Sequence, residues 1–352
     1  MHMALFRRKF TRAYSSALSK EEQLRFLNLL HRLLTTGYSI IDALHILSLN
    51  NQFYETANRI SGALKNGKTI DEAFELTNFH PTIVSFLYFT KISGDIIENI
   101  EKCRNFFQQQ LKYTKKFHHV IRYPLILITF FLILLFFIRG SVLPSFQEMF
   151  QGHLSSISSI HLTFHIIDFL TTFFMTIFLL SGIIVFMWKK FQHFLSVEEK
   201  IKFYQWLPIV RGLLTITNSF YFATHFSTLL KAGFSVKEIL TNMKTQKKLP
   251  VISFYADIMI DELSNGVDLS YIIHQFPLLD KKLTVLFQSK TDYSSLQKDL
   301  SVYAEMLMEE IEYKMMKFLT LLQPVILVVI AILIIFMYAS IMWPLFQLIK
   351  TI

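Results

Sequence analysis

The sequence predicts an all-α membrane protein that has two repeated cytoplasmic helical bundles and three transmembrane helices. Paired apolar segments are the first observation behind this fold class. Pro124 and Pro144 enclose 19 residues, and Pro324 and Pro344 enclose another 19. At about 1.5 Å of rise per residue, a helix of this length approaches the ~30 Å hydrocarbon core of a bilayer. Each segment can therefore cross a membrane once.

A third apolar run lies between these two segments. Residues 166–188 contain one charged side chain, Asp168, and meet the same length requirement. The whole chain of 352 residues is 52% hydrophobic and 17% charged, which is too apolar for one ordinary soluble domain and too charged for a fully embedded bundle. We therefore predict transmembrane helices at 123–143, 166–188 and 321–345.

The basic residues predict the orientation. Of the 35 Lys and Arg residues, all but Arg139 and Lys350 fall within 1–122 and 189–322. Because cytoplasmic flanks carry an excess of Lys and Arg, both blocks are predicted to be cytoplasmic, in a multi-pass protein of the cell membrane. The remaining segments then follow: a basic N-terminal segment at 1–19 without a signal-peptide core, bundles at 20–122 and 189–320, an extracytoplasmic connector at 144–165 and a short extracytoplasmic tail at 346–352.

The cytoplasmic blocks contain an internal repeat. The stretch that begins at Phe26 aligns with the stretch that begins at Phe222, 196 positions later. The alignment pairs Leu33, Leu34, Gly37, Ser39 and Leu44 with Leu229, Leu230, Gly233, Ser235 and Leu240. This pattern predicts a helix that ends at a left-handed glycine, followed by a helix with a serine N-cap and an acid three residues later.

Further matches extend the repeat. Asn-Gly turns occur at Gly67 in the first copy and at Gly266 in the second. Apolar residues at helical spacing fill the intervals, so each block is predicted to be a bundle of about six short helices. The last helix of each bundle is expected to run straight into the membrane.

One stretch, Gly62 to Thr69, formally matches the phosphate-binding pattern GxxxxGK[ST]. That loop requires a buried strand before it and a helix after it. Here a polar segment with a helical pattern precedes it, and the second copy lacks the Lys-Thr pair. We therefore interpret Gly67 as a helix cap and Thr69 as the start of the next helix, rather than as a nucleotide site.

Other polar clusters are weak indications of chemistry. Carboxylates at helical spacing could gather a hard cation, although solvated helix faces explain them more simply. They are Asp95, Glu98, Glu101, Glu305, Glu309 and Glu312. The paired or clustered histidines are His118, His119, His153, His161 and His165. The single cysteine, Cys103, excludes an internal disulfide. No catalytic triad, HExxH or CxxC pattern occurs, so we predict no enzyme, no cofactor and no metal site.

The two ionisable residues within the predicted spans, Arg139 and Asp168, lie at matching depths. An ionisable side chain in a membrane helix usually has a partner. We therefore expect Arg139 and Asp168 to form an ion pair between the first two spans.

Taken with the order of the three spans, the repeat resembles the type II secretion F domain family. This family comprises the inner-membrane platform proteins of type II secretion systems, type IV pili and competence pseudopili. The resemblance covers nearly the whole chain, with F domains at about 20–145 and 216–345, and its motifs include Pro124, Pro324 and Ser93-Gly94-Asp95. The second copy departs at Lys290-Thr291-Asp292, where glycine is missing.

The resemblance implies a non-enzymatic assembly platform, closest to the competence-pseudopilus member from Gram-positive bacteria. Its expected partners are a secretion-type hexameric ATPase in the cytoplasm, pilin-like subunits in the membrane, the lipid bilayer and further copies of the same chain, with no direct nucleic acid contact. A platform for type II protein secretion or for a surface type IV pilus is the alternative within the family. A small membrane transporter and a membrane ATPase are the alternatives outside it.

Overall fold

The computed structural model describes residues 17–142, 195–288 and 292–351, together with isolated positions between 144 and 187. Every regular element in these residues is a helix, which confirms the all-α class for this part of the chain. They divide into two compact units. The first unit holds residues 17–112 and 197–314, and the second holds the described parts of Tyr113–Ser196 and Met315–Ile352.

The described residues of the first repeat form six helices. Ser19 begins the first of them with a capping box, in which its backbone amide donates to Glu22 Oε2 at 2.7 Å. The helices are α1 (Lys20–Thr35), α2 (Ile40–Ser48), α3 (Tyr54–Lys65), α4 (Ile70–Leu76), α5 (Pro81–Ser93) and α6 (Ile96–Phe137). A short π-helical turn, Ile138–Val142, follows α6.

The second repeat has the same helix order after one additional helix. Its helices are α7 (Val197–Trp206), α8 (Pro208–Lys231), α9 (Val236–Lys244), α10 (Pro250–Ser264), α11 (Leu269–Gln275), α12 (Lys282–Gln288) and α13 (Tyr293–Thr351). The end of α8 corresponds to α1, and α13 corresponds to α6, by their positions in the repeat.

Aromatic side chains fill the core of each repeat. In the first, Phe26 contacts Phe53, Phe74 and Phe79, with ring centroids 5.4 to 6.0 Å apart. In the second, the equivalent Phe222 lies beside Phe226, and both contact Phe287. Aromatic rings bury a large apolar area, so these clusters stabilise bundles of short helices that would be marginal alone.

The last helix of each repeat continues into an apolar segment. α6 spans 42 residues and α13 spans 59, and neither ends at the prolines that mark the predicted spans. Pro124 and Pro324 lie inside these helices. A proline removes one backbone hydrogen bond, and membrane helices tolerate this loss where neighbouring groups compensate for it. The predicted tail at 346–352 is also helical as far as Thr351.

Within the described residues, one helix is long and apolar enough to cross a membrane. It covers Tyr293–Ala339, reaches a mean hydropathy of 2.9 and is 12% buried over its apolar window. Most of the predicted connector and of the second predicted span lies outside the described residues. Three crossings therefore stay a prediction.

Candidate functional site at the joint between the repeats

The glycine corners of the two repeats have nearly the same backbone geometry. Gly37 ends α1 with φ of 94°, and Gly233 ends α8 with φ of 88°. The Gly37 amide donates to the Leu34 carbonyl at 3.0 Å, and the next amide donates to the Leu33 carbonyl at 3.2 Å. Gly233 and its neighbour make the same bonds to Leu230 and Leu229, at 3.0 and 3.2 Å. These paired bonds are the Schellman arrangement, which closes a helix when a left-handed residue follows it.

A serine begins the next helix in both copies. Ser39 Oγ accepts from the Asp42 amide at 3.2 Å, and Ser235 Oγ accepts from the Glu238 amide at 3.4 Å. Leu44 and Leu240, one turn further on, are fully buried. The corner thus fixes the angle between two helices, and the leucine anchors the second helix in its bundle.

The Asn-Gly turns are helix caps. Gly67 and Gly266 have φ of 79° and 83° and follow α3 and α10. The Glu72 carboxylate accepts from the Thr69 amide at 3.2 Å at the start of α4. Because a helix rather than a strand precedes Gly67, the stretch 62–69 has the surroundings of a cap and lacks those of a phosphate-binding loop.

The entry to each long helix is capped by an aspartate. α5 ends at Gly94, with φ of 76°, and Asp95 Oδ1 accepts from the Glu98 amide at 3.1 Å. In the second copy, Asp292 Oδ1 accepts from the Ser294 amide at 3.2 Å. Lys290 and Thr291, where the sequence departs from the first copy, lie outside the described residues.

The two repeats meet in one aromatic cluster, which we call the joint. Phe106 of α6 stacks on Phe220 of α8, with centroids 4.7 Å apart and planes 14° apart. Phe89 of α5 stacks on His225 of α8 at 3.9 Å. Further ring contacts join Phe86 to the same face of α8. Residues of both repeats therefore share one core within the first unit.

His225 is the unusual member of the joint. It is fully buried, and neither of its ring nitrogens has a hydrogen-bond partner among the described residues. Burial, reinforced by the nearby Lys102 charge, lowers the pKa of His225 to about 3. The imidazole is therefore neutral at physiological pH and acts as an aromatic ring in this core.

Polar contacts surround the aromatic cluster. The Tyr88 hydroxyl lies 2.5 Å from Thr245 Oγ1 and donates to the Asn242 carbonyl at 3.3 Å. Gln246 Nε2 donates to the Ser85 carbonyl at 3.4 Å, and Lys248 pairs with Glu75. Each contact connects α4 or α5 of the first repeat with α9 of the second repeat or with the residues that directly follow α9. Polar contacts therefore hold the joint together in addition to its aromatic rings.

A charged network lies at the edge of the joint. Lys231, the last residue of α8, forms ion pairs with Glu98 and Asp95 of the first repeat. Lys102 also pairs with Glu98, at 2.7 Å. Burial alone would raise the pKa of Glu98, but hydrogen bonds from Lys102 and Lys231 outweigh it and bring the pKa to about 2. Glu98 is therefore ionised throughout the physiological range.

An acidic groove of about 730 Å³ lies between α6, α8 and α13. Its acidic lining residues are Glu98, Glu101, Glu305, Glu309 and Glu312, and its basic ones are Lys102 and Lys112. Lys112 Nζ pairs with Glu312 Oε1 at 2.9 Å, across the two repeats. The carboxylates of both helices, which the sequence places on two separate faces, thus line a common groove.

No metal centre follows from this groove. Within the part of the chain that the structure describes, no group of three or more His, Cys, Asp or Glu side chains is arranged to hold a metal ion. The groove carboxylates instead pair with lysines in part, as Glu98 and Glu312 do. The carboxylates that line the groove are suited to contact a positively charged surface.

Comparison with known proteins gives the family. The model of the family described as "Type II secretion system (T2SS), protein F" matches residues 26–144 and 222–344. The chain belongs to this family. Both matches begin at the aligned pair Phe26 and Phe222, and both end at the second proline of an apolar segment, Pro144 or Pro344.

Two curated relatives are similar to this chain over most of their length. ComG operon protein 2 of Bacillus subtilis (strain 168) is 22% identical over 315 residues, which cover 88% of this chain and 97% of the relative. The ComG operon protein 2 homolog of Halalkalibacterium halodurans is 24% identical over 323 residues, which cover 91% of this chain and 100% of the relative.

Among the residues that the structure describes, the other residues singled out from the sequence do not meet in a site. The Arg139 side chain, Asp168, His153 and His161 lie outside what the structure describes. His118 and His119 are exposed on α6. Cys103 is fully buried, which raises the pKa of its thiol.

The joint itself was missed by sequence reasoning. Its members Phe106, Phe220 and His225 are not among the repeated motif residues. A signal for His225 does exist, because the repeat alignment places it opposite Leu29 and therefore at an apolar type of position.

Proposed function

We propose that this chain is a non-enzymatic membrane platform for the assembly of a pilus-like fibre, most directly one that serves DNA uptake in competence. It couples a cytoplasmic ATPase to the addition of pilin-like subunits. The observation that carries the proposal is the family match to both repeats, in a chain whose repeats share one core. The ComG operon relatives favour the competence machine over other machines of the family.

The membrane arrangement is part of the proposal. Spans at 123–143, 166–188 and 321–345 leave both repeats in the cytoplasm, with the connector and the tail outside. In the second unit, α6 and α13 expose large apolar side chains, including Phe136 at 74% and Ile335 at 68%. Apolar surface of this extent is unfavourable in water and favourable against lipid or another apolar helix.

The joint gives a physical route for coupling. Because Phe106, Phe220 and His225 pack in one core, a force on either repeat acts on both. α6 and α13 then continue without a break into the apolar segments. A motor that displaces the cytoplasmic unit therefore displaces the spans that contact the fibre subunits.

The partners belong to the proposal and rest on the family match. The hexameric ATPase binds the cytoplasmic unit, and the apolar helix of a pilin-like subunit binds the spans. The platform is a homo-oligomer in the bilayer, and it makes no direct contact with nucleic acid. It needs no cofactor, since the ATPase supplies the energy.

A platform for type II protein secretion is the second candidate, because the family model carries that description. A transporter is disfavoured, because Arg139 and Asp168 are the only Asp, Glu, Lys, Arg or His residues in the predicted spans, which therefore provide little polar path for a solute.

Deletion and complementation in the native host test the proposal. We expect loss of DNA uptake in the deletion strain, full recovery with the wild-type chain, and unchanged protein secretion and surface piliation. Loss of secretion with normal DNA uptake would favour the type II secretion platform. Normal DNA uptake, secretion and piliation in the deletion strain would contradict every platform reading.

A further inference from the structure

An aromatic patch on α7 and α8 is exposed at the surface of the cytoplasmic unit. Trp206, at the end of α7, is 89% exposed. Phe203, Leu207 and Val210 surround it with exposures of 44%, 41% and 36%. We call these four residues the Trp206 patch. Exposure of so much of an indole ring to water is unfavourable. Indole rings are enriched at membrane interfaces, where one edge of the ring contacts water and the other contacts apolar groups.

A cavity of about 750 Å³ adjoins the patch. Trp206 lines it together with Arg211, His274, Lys281 and Lys314. The side chains of Arg211 and Lys281 have no ion-pair partner among the described residues and are exposed. Two unpaired cations beside an aromatic patch give this surface the charge that an anionic headgroup requires.

Two acidic residues also line the cavity, and each has a partner within the protein. Glu310 pairs with Lys314 at 2.9 Å, and Asp280 Oδ1 accepts from the Lys282 amide at 3.0 Å. The two carboxylates offset two of the three positive charges of Arg211, Lys281 and Lys314, so the lining keeps an excess of basic side chains.

The position in the sequence favours the bilayer as the occupant. α7 begins nine residues after the predicted second span, which ends at Trp188. Lys314 precedes the start of the predicted third span at Leu321 by seven residues, about two helical turns. The patch therefore lies close in sequence to the second predicted span, and one residue of the cavity lies close to the third.

We infer that the Trp206 patch and its cavity bind the headgroup region of an anionic phospholipid. The Trp206 ring enters the interface, and Arg211 and Lys281 contact the phosphate. This contact ties the second repeat to the cytoplasmic leaflet. The inference rests on the membrane topology in the proposed function, but it is independent of the ATPase and of the pilin.

Lipid quenching of Trp206 tests the inference. The full chain, with Trp188→Phe and Trp343→Phe, is placed in nanodiscs of mixed phosphatidylglycerol and phosphatidylcholine. Either lipid carries bromine on its acyl chains near the headgroup. We expect brominated phosphatidylglycerol to quench Trp206 more strongly than brominated phosphatidylcholine does. Each basic residue near an anionic surface contributes about fivefold to association, so Arg211→Glu with Lys281→Glu should abolish the preference.

Lys237→Glu with Lys247→Glu is the matched control, because it makes the same change of charge at exposed lysines outside the cavity. This variant should keep the lipid preference. Absence of quenching by either lipid would overturn the inference. Equal quenching by both lipids would overturn the inferred preference for an anionic headgroup. In either case, normal DNA uptake by the Trp206→Ala strain would leave the platform proposal intact.

Discussion

Lys231 and Glu98 form an ion pair that joins the end of α8 in the second repeat to α6 in the first. Lys231 directly follows the Leu229-Leu230 pair of the repeated corner, and Glu98 lies in the first turn of the helix that continues into an apolar segment. The position equivalent to Lys231 in the first repeat is Thr35, which has no charge and cannot form the equivalent ion pair. The pair of Lys231 with Glu98 therefore makes the joint asymmetric.

Replacing Glu98 with Gln should destabilise the joint. The change removes the shared partner of Lys102, which is partly buried, and of Lys231, which is exposed. A charged hydrogen bond is worth about 1.5–3 kcal/mol, and partial exposure reduces the expected loss to about 1 kcal/mol. Thermal melting of the purified full chain in detergent measures it. Glu55→Gln is the control, because its pair with Arg59 is long, at 3.9 Å, and exposed. Equal melting temperatures for both variants would contradict the prediction.

The same network predicts a response to acid. The pKa of Glu98 is lowered to about 2 in the folded chain, below its ordinary value of 4.5. Its contribution is therefore complete above pH 4.5 and is lost as the pH falls toward 2. Glu98→Gln should be less sensitive to pH than the wild type across this window, as followed by melting at successive pH values. Parallel pH profiles would be the contrary result.

His225→Phe should keep or raise the stability of the joint. Phenylalanine preserves the ring stacking on Phe89 and removes two buried nitrogens that have no hydrogen-bond partner. Because burial lowers the pKa of His225 to about 3, stability due to the neutral ring falls as the pH drops from 6.5 toward 3. The slope for this one proton is about 1.4 kcal/mol per pH unit.

His225→Phe should lose that slope, whereas His225→Ala should leave a cavity and melt at a lower temperature at every pH. A lower melting temperature for His225→Phe, with the slope retained, would show that the imidazole has a polar role in the joint.

Much of the local structure was predictable from the sequence, and the joint was not. Gly37 and Ser39 specify a corner because a left-handed residue and an N-cap act on their own backbone within a few residues. The packing of Phe106 on Phe220 depends on which faces of two distant helices meet, and helical periodicity does not determine that. For the same reason, the sequence shows two acidic faces but not that Glu101 and Glu305 share a groove.

Gly37→Ala should destabilise the first repeat by about 1–2 kcal/mol, because a Cβ is strained in the left-handed region. Apart from Gly37 and its chain neighbours, no heavy atom of the described residues lies within 4 Å of the position that this Cβ would occupy, so the cost is conformational. Gly62→Ala is the matched control, since Gly62 lies inside α3 with the same free space. There, alanine should raise stability by up to about 1 kcal/mol. Melting of the two variants in detergent should thus move in opposite directions.

Lys68→Ala should leave DNA uptake largely intact. Lys68 follows the cap at Gly67 and precedes α4, which are the surroundings of a helix connection. Transformation frequency, measured at matched protein level, checks this expectation. A null phenotype at normal protein level would revive the membrane ATPase that the GxxxxGKT pattern suggests.

Thiol labelling tests the predicted topology. In a Cys103→Ser background, Ser156→Cys lies in the predicted outward connector and Ser264→Cys at the exposed end of α10. A membrane-impermeant maleimide should label the first in intact cells and the second only after lysis. Labelling of Ser264→Cys in intact cells would place the second repeat outside.

The measurement closest to the central claim is affinity purification of the tagged chain from crosslinked native membranes, followed by mass spectrometry. An unrelated tagged multi-pass protein at the same level is the control. We expect a secretion-type ATPase and a small pilin-like protein to be enriched with this chain alone, and the identity of that pilin to specify the machine. Enrichment of neither, in cells shown to express both, would contradict the platform account.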